Sequence, residues 1–194
     1  MNDLKSPNTR TPLLGERKRK QRGALTMQET ALVLLIGALF LAGGYALVIT
    51  ALSNYRANKI TDEFNLAIPA IQTAYQNRTS YAGLTTAQVA LNGWVGSGIT
   101  EYAGGTPTGN LVTQWGTLTF EPASNGTQAR GTLNNVPSRE CVKIATAFSG
   151  DQFLSATVNG GAVKSGVNNL DLTAVGTQCN ASASNTITFN FGRA

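Results

Sequence analysis

Three sets of side chains in this sequence have the type and spacing to do chemistry. Cys141 and Cys179 are its only cysteines, and a thiol pair can serve as nucleophile, metal ligand or disulfide. Glu29 is a carboxylate at the edge of a long apolar run. A charge there is costly to bury in lipid, which makes it a functional candidate; a place at the interface near a helix start, where the helix dipole favours an anion, is the plainer reading. The third set, Lys18, Arg19, Lys20 and Arg22, leads up to Gly23, and a cationic stretch halted at a small residue before an apolar segment looks like a processing site. The chain contains no histidine, so the commonest general base and metal ligand is missing. Ser-His-Asp and Cys-His hydrolases, His-based zinc enzymes and His-ligated haem are thereby excluded. No catalytic residue, metal or other cofactor is expected.

The elements that position these groups begin with the apolar run. Thr30 to Tyr55 is a stretch of 26 residues without a charge, and Ala31–Leu52 is almost wholly apolar. A helix of about 20 such residues crosses the ~30 Å hydrocarbon core of a bilayer. Residues 1–23 hold seven basic and two acidic groups, which accounts for the whole formal charge of +5. The positive-inside rule therefore leaves the leader in the cytoplasm and exports everything after Arg56. The remaining residues carry no net charge, so a nucleic-acid partner has no electrostatic basis. No small-residue cleavage motif follows the apolar run, so it should stay with the mature protein.

Beyond Arg56 the apolar residues Ile60, Phe64, Ala67, Ile68, Ile71, Ala74 and Tyr75 recur at steps of three and four, the pattern of an amphipathic helix. No loop signal separates it from the membrane segment, so one helix is expected to run to about Asn77. Pro69 should kink it, and Gly37, Gly43 and Gly44 weaken its membrane half, either as small residues for helix contact in lipid or as points of flexibility. Asp62 and Glu63 read as a solvated face. From residue 78 the composition turns to Gly, Thr, Asn and Ser with short apolar alternations, which is strand-and-loop material. Strands are expected at Leu111–Thr113, Thr117–Phe120, Phe153–Val158 and Thr186–Phe191, the last with Ile187, Phe189 and Phe191 on one face. A short helix is expected after Pro137, with Val136, Cys141, Ile144, Ala145 and Phe148 on one side. Gly104-Gly105 and Gly160-Gly161 read as turns. An even cysteine count in an oxidising compartment reads as one disulfide, Cys141 to Cys179.

Lys18-Arg19-Lys20-Gln21-Arg22-Gly23, then Ala24-Leu25-Thr26-Met27-Gln28-Glu29, then the apolar run, resemble the processing region of the type IV prepilins, and specifically the type IVb branch. Asn134–Cys141 is similar to the helix that bears the first cysteine in the pilin domain of conjugative thin-pilus and adherence systems. Thr113-Gln114-Trp115-Gly116 is similar to that domain's central Trp-Gly element, and Cys179 followed by a last strand to its ending. The resemblance implies an α+β fold, a long N-terminal helix with an antiparallel-sheet head. It divides the chain into a cleaved leader (1–23), a membrane and filament-core helix (24–53), the amphipathic half of that helix (54–80) and an exported head (81–194). Cleavage falls between Gly23 and Ala24, or between Ala24 and Leu25. The first bond makes Glu29 the sixth mature residue and the second makes it the fifth, the family's usual position. The resemblance also implies a methylated N-terminus and a Glu29 that pairs with a neighbouring subunit's N-terminal amine. Implied partners are copies of the chain itself, a prepilin peptidase, an inner-membrane assembly platform and ATPase, an outer-membrane secretin and a tip adhesin. The precursor would lie in the inner membrane and the product in an extracellular pilus for mating-pair contact or host adherence. A minor pilin, a secretion pseudopilin or a membrane-anchored exported enzyme are the rival readings.

Overall fold

Helix-forming apolar residues and strand-forming alternation segregate along the chain, and the computed structural model follows that division. It describes residues 27–166 and 169–192. Helix α1 occupies Met27–Ala74, three residues short of the expected end at Asn77. The chain divides into two compact units, one ending at Tyr45 and one beginning at Ala46. The described part of the first unit is helix alone. Its large apolar side chains, Leu32 to Leu41 among them, are exposed, and α1 is long and apolar enough to cross a membrane.

In the second unit α1 changes character. Ile60, Phe64, Ala67, Ile68, Ile71 and Tyr75 are buried, as their spacing predicts, and Ala57 extends the stripe, although Ala74 at the helix end is exposed. The helix continues through Pro69, which is exposed. A six-residue helix α2 (Thr86–Leu91) follows, its first turn closed by the Thr85 hydroxyl, which accepts from the Gln88 N–H.

Among the described residues seven antiparallel strands make one sheet: β1 (Thr100–Ala103), β2 (Thr106–Val112), β3 (Thr117–Ala123), β4 (Gln128–Pro137), β5 (Phe153–Val158), β6 (Gly161–Ser165) and β7 (Ser184–Gly192), in the spatial order β1-β2-β3-β4-β7-β5-β6. The last strand thus lies inside the sheet, between β4 and β5. Helices α3 (Ser138–Ala147) and α4 (Leu172–Asn180) lie together against it, α3 on β4 and β7, α4 on β5 and β6. Pro137 ends β4 and forms the N-cap of α3, one position before the first turn expected for it. Val136, Cys141, Ile144, Ala145 and Phe148 are all inaccessible to solvent, as their side-by-side spacing required.

The core centres on Phe189 of β7. Its ring lies 4.7 Å from that of Phe64 on α1, 5.1 Å from Phe148 and 5.6 Å from Phe153. Aromatic pairs at such separations add about 0.5–1.5 kcal/mol each beyond area burial. Opposite Phe189 in the register stands Gly131 of β4, and a Cβ at that position would overlap the Phe189 ring. The residue is glycine because the ring occupies the space its side chain would need. Gly131→Val is therefore expected to lower unfolding free energy by about 1–3 kcal/mol, the cost of overpacking, measured by urea denaturation of the full chain in detergent. An unchanged midpoint would show that the ring moves aside freely.

Candidate functional site

The residues singled out in the sequence do not gather in one place. Gly23, Ala24 and Leu25 lie outside the described residues. Glu29 is exposed in the first turn of α1, where the helix dipole favours a carboxylate. Gly37, Gly43 and Gly44 are interior to the same helix, and a Cβ built on any of them meets nothing within 4 Å. Packing within the chain itself gives no reason for glycine at those three positions.

Cys141 and Cys179 are joined, with their Cα atoms 5.6 Å apart. The bridge links the first turns of α3 to the end of α4, and both residues are wholly buried. The two thiols are thus consumed in a cross-link and offer no nucleophile. Among the described residues no three His, Cys, Asp or Glu side chains come together.

Sequence reasoning missed a polar knot beside this bridge. Asn185 of β7 is fully buried; its Nδ2 donates to the carbonyls of Val136, Cys179 and Ser182, each at 3.1 Å, while its Oδ1 accepts from Asn159 Nδ2 at 2.7 Å. One amide therefore ties the entry to α3, the exit from α4 and the turn between β5 and β6. A signal existed: Asn185 shares the inward face with Ile187, Phe189 and Phe191, and a polar residue at a core position must be satisfied.

Two charged side chains also act inside the fold. Glu63 is half-buried and accepts the Gly96 N–H at 2.6 Å, which corrects the solvated-face reading of that residue; Asp62 beside it is exposed. The acceptor fixes the loop after α2 to α1. Lys164 of β6 is 1% exposed, and its Nζ donates to the Phe148 and Gly150 carbonyls, both at 2.8 Å. It thereby closes the loop between α3 and β5. Desolvation lowers the Lys164 pKa below the ordinary lysine value, against a smaller opposing pull from Asp151.

The sign of the pH effect follows. The unfolded chain binds the Lys164 proton more tightly than the folded chain, so this group's contribution to stability rises as pH rises through the window between the lowered folded value and 10.5. Stability plotted against alkaline pH is expected to climb more steeply in the native chain than in Lys164→Met. The variant should also be less stable at neutral pH by about 2–4 kcal/mol, since two buried carbonyls lose their donor. Parallel pH profiles would refute the assignment.

These features are cross-links and anchors within the second unit. A family model described as PilS N terminal matches residues 54–191. The fold is similar to the crystal structure of a type IVb pilin from Salmonella typhi, at 17% identity and a TM-score of 0.51, covering 72% of this chain and 99% of that one. It is similar also to TcpA, a type IV pilin from the Vibrio cholerae El Tor biotype, at 17% identity and a TM-score of 0.50, covering 70% of this chain and 98% of that one. No curated protein matches the chain. With some seven-tenths of its length inside the match, the chain belongs to the PilS N terminal family, built on the type IVb pilin fold, a family and fold of structural subunits and not of enzymes.

Proposed function

We propose that this chain is the precursor of a type IVb pilus subunit that polymerises into a surface filament. The observation that carries the reading is α1, whose apolar first part leaves its large side chains exposed within the chain. Such a surface needs a covering: lipid before assembly, and copies of the same helix afterwards. Copies related by one repeated heterologous contact whose rotation does not close form a fibre and not a ring. A prepilin peptidase removes residues 1–23, or 1–24, at the cytoplasmic face, and the new N-terminus is methylated. The assembly platform with its ATPase extracts the helix from the inner membrane, and the filament leaves through an outer-membrane secretin, with a tip adhesin at its end. Its task is attachment between cells, in conjugation or in adherence to a host.

Mass spectrometry of filaments sheared from the cell surface tests the whole proposal. The expected result is this chain as the main component, beginning at Ala24 or Leu25 and carrying an N-terminal methyl group. Gly23→Leu should abolish both the shortened form and the filaments. Recovery of assembled material that begins at Met1 would refute the reading, and presence only at trace level would favour a minor pilin or pseudopilin.

A further inference from the structure

We infer that the second unit carries a built site for the phosphodiester of an anionic phospholipid, formed by Arg56, Lys59 and Trp115 beside the end of the apolar segment. The inference rests on the membrane-anchored precursor proposed above and adds a lipid preference to it. Arg56 is the first charge after the uncharged run, and Leu52 ends the apolar stretch. At 1.5 Å per residue, Arg56 stands about 6 Å and Lys59 about 10 Å beyond Leu52 along the helix. The headgroup layer on each side of the hydrocarbon core is about 5–7 Å deep, and a lysine stem can bend its amine back toward it. Both cations therefore reach phosphate level when the apolar segment spans the bilayer.

The two side chains do more than lie at that level. They line one wall of a cleft whose other wall includes Gly98 and Trp115. Neither forms an ion pair among the described residues, where Arg130 and Glu121 make the pair that is found. Lys59 Nζ lies 2.9 Å from the place a Cβ on Gly98 would take, so the absence of a side chain at Gly98 leaves room for the amine. The buried indole Nε1 of Trp115 donates to no acceptor within the described residues. Two cations without an ion-pair partner in one cleft, with the Trp115 side chain in its lining, suit a ligand that is a monoanion with several acceptor oxygens. A phosphodiester in the adjoining leaflet has that chemistry, and its acyl chains would lie along the exposed Leu47–Leu52 part of α1.

The experiment reconstitutes the full chain into vesicles of phosphatidylcholine alone and of phosphatidylcholine with phosphatidylglycerol. Lipid selectivity is then read by native mass spectrometry after extraction. Phosphatidylglycerol is expected to be retained over phosphatidylcholine, and Arg56→Gln/Lys59→Gln to lower that retention about thirty-fold, the equivalent of about 1 kcal/mol per cation near the surface. Arg78→Gln, a cation removed beyond the end of α1, should leave retention unchanged, which separates the cleft from net charge. Equal retention of the two lipids, or equal losses in the two variants, overturns the inference while leaving the filament proposal intact. Displacement of the lipid by millimolar inorganic phosphate would assign the cleft to free phosphate and overturn the headgroup source. Retention unchanged in Arg56→Gln/Lys59→Gln, with filament formation lost, would assign the cations to a carboxylate of a second copy. Failure of the chain to insert into either vesicle would overturn the membrane anchor and this inference with it, although filaments could still be counted separately.

Discussion

Replacing Cys141 and Cys179 together by alanine is expected to cost the fold about 4 kcal/mol. The bridge closes a loop across a sequence separation of 38, and in the chain-entropy treatment a loop of that length restricts the unfolded ensemble by about that amount. The native side is not neutral either, because both sulfurs sit at full burial among α3, α4 and the sheet and their removal leaves space behind. Against the 5–15 kcal/mol that typically separates folded from unfolded states, the loss leaves a head that is folded at low temperature and partly open at growth temperature. The double variant should melt about 8–16 °C lower, and the pilin should fall in abundance through proteolysis of the open form. The Asn185 amide, which bonds to Val136 and Cys179 from β7, keeps α3 and α4 near one another, so collapse is not expected to be complete. Free alkylation of both thiols in native protein taken from the cell surface, or a melting point within two degrees of the parent, would refute a structural role for the bridge.

What could be read in the sequence followed periodicity, and what could not followed contacts between distant segments. The stripe from Ile60 to Ile71 and the alternation at Ile187, Phe189 and Phe191 each report a face buried by the element itself, so both were legible. Two further elements carry local signals of their own, the first of them one residue before the Gly160-Gly161 turn read above. Asn159-Gly160 between Phe153–Val158 and Gly161–Ser165 has positive φ at both central residues, the two-residue hairpin turn that Asn-Gly favours, and this would have placed β6. Asp171 caps α4 by accepting from the N–H groups of Thr173 and Ala174, a start signal of the usual kind. The position of β7 between β4 and β5 leaves no such mark, since strand order is fixed by pairing across long loops. The same is true of Lys164 and Glu63: a charged residue reads as solvated until its acceptor or donor arrives from elsewhere in the chain.

Glu29→Gln is expected to leave processing intact and to reduce surface filaments by more than tenfold. The substitution keeps the side chain's size and removes its charge, while the cationic stretch and Gly23 upstream are unchanged, so the proposed processing signal is left whole. Within the chain the carboxylate sits in the first turn of α1, where interaction with the helix dipole contributes only about 0.3–1 kcal/mol. That is too little to decide whether a filament forms. In the proposed filament the same carboxylate meets the N-terminal amine of an adjacent subunit in an apolar surround, and removal of one partner leaves the other charge buried and unmatched, a penalty of about 3–5 kcal/mol per contact. Repeated at every subunit addition, that penalty stops growth, and processed protein should accumulate in the inner membrane. The mature N-terminus also sets the geometry. With the cut after Gly23 the carboxylate is the sixth residue, and with the cut after Ala24 it is the fifth, a difference of about 100° around the helix. Electron microscopy with an immunoblot for the shortened chain separates the outcomes: abundant filaments from the Glu29→Gln strain would reduce Glu29 to an interfacial residue, whereas loss of the shortened chain would assign it to peptidase recognition.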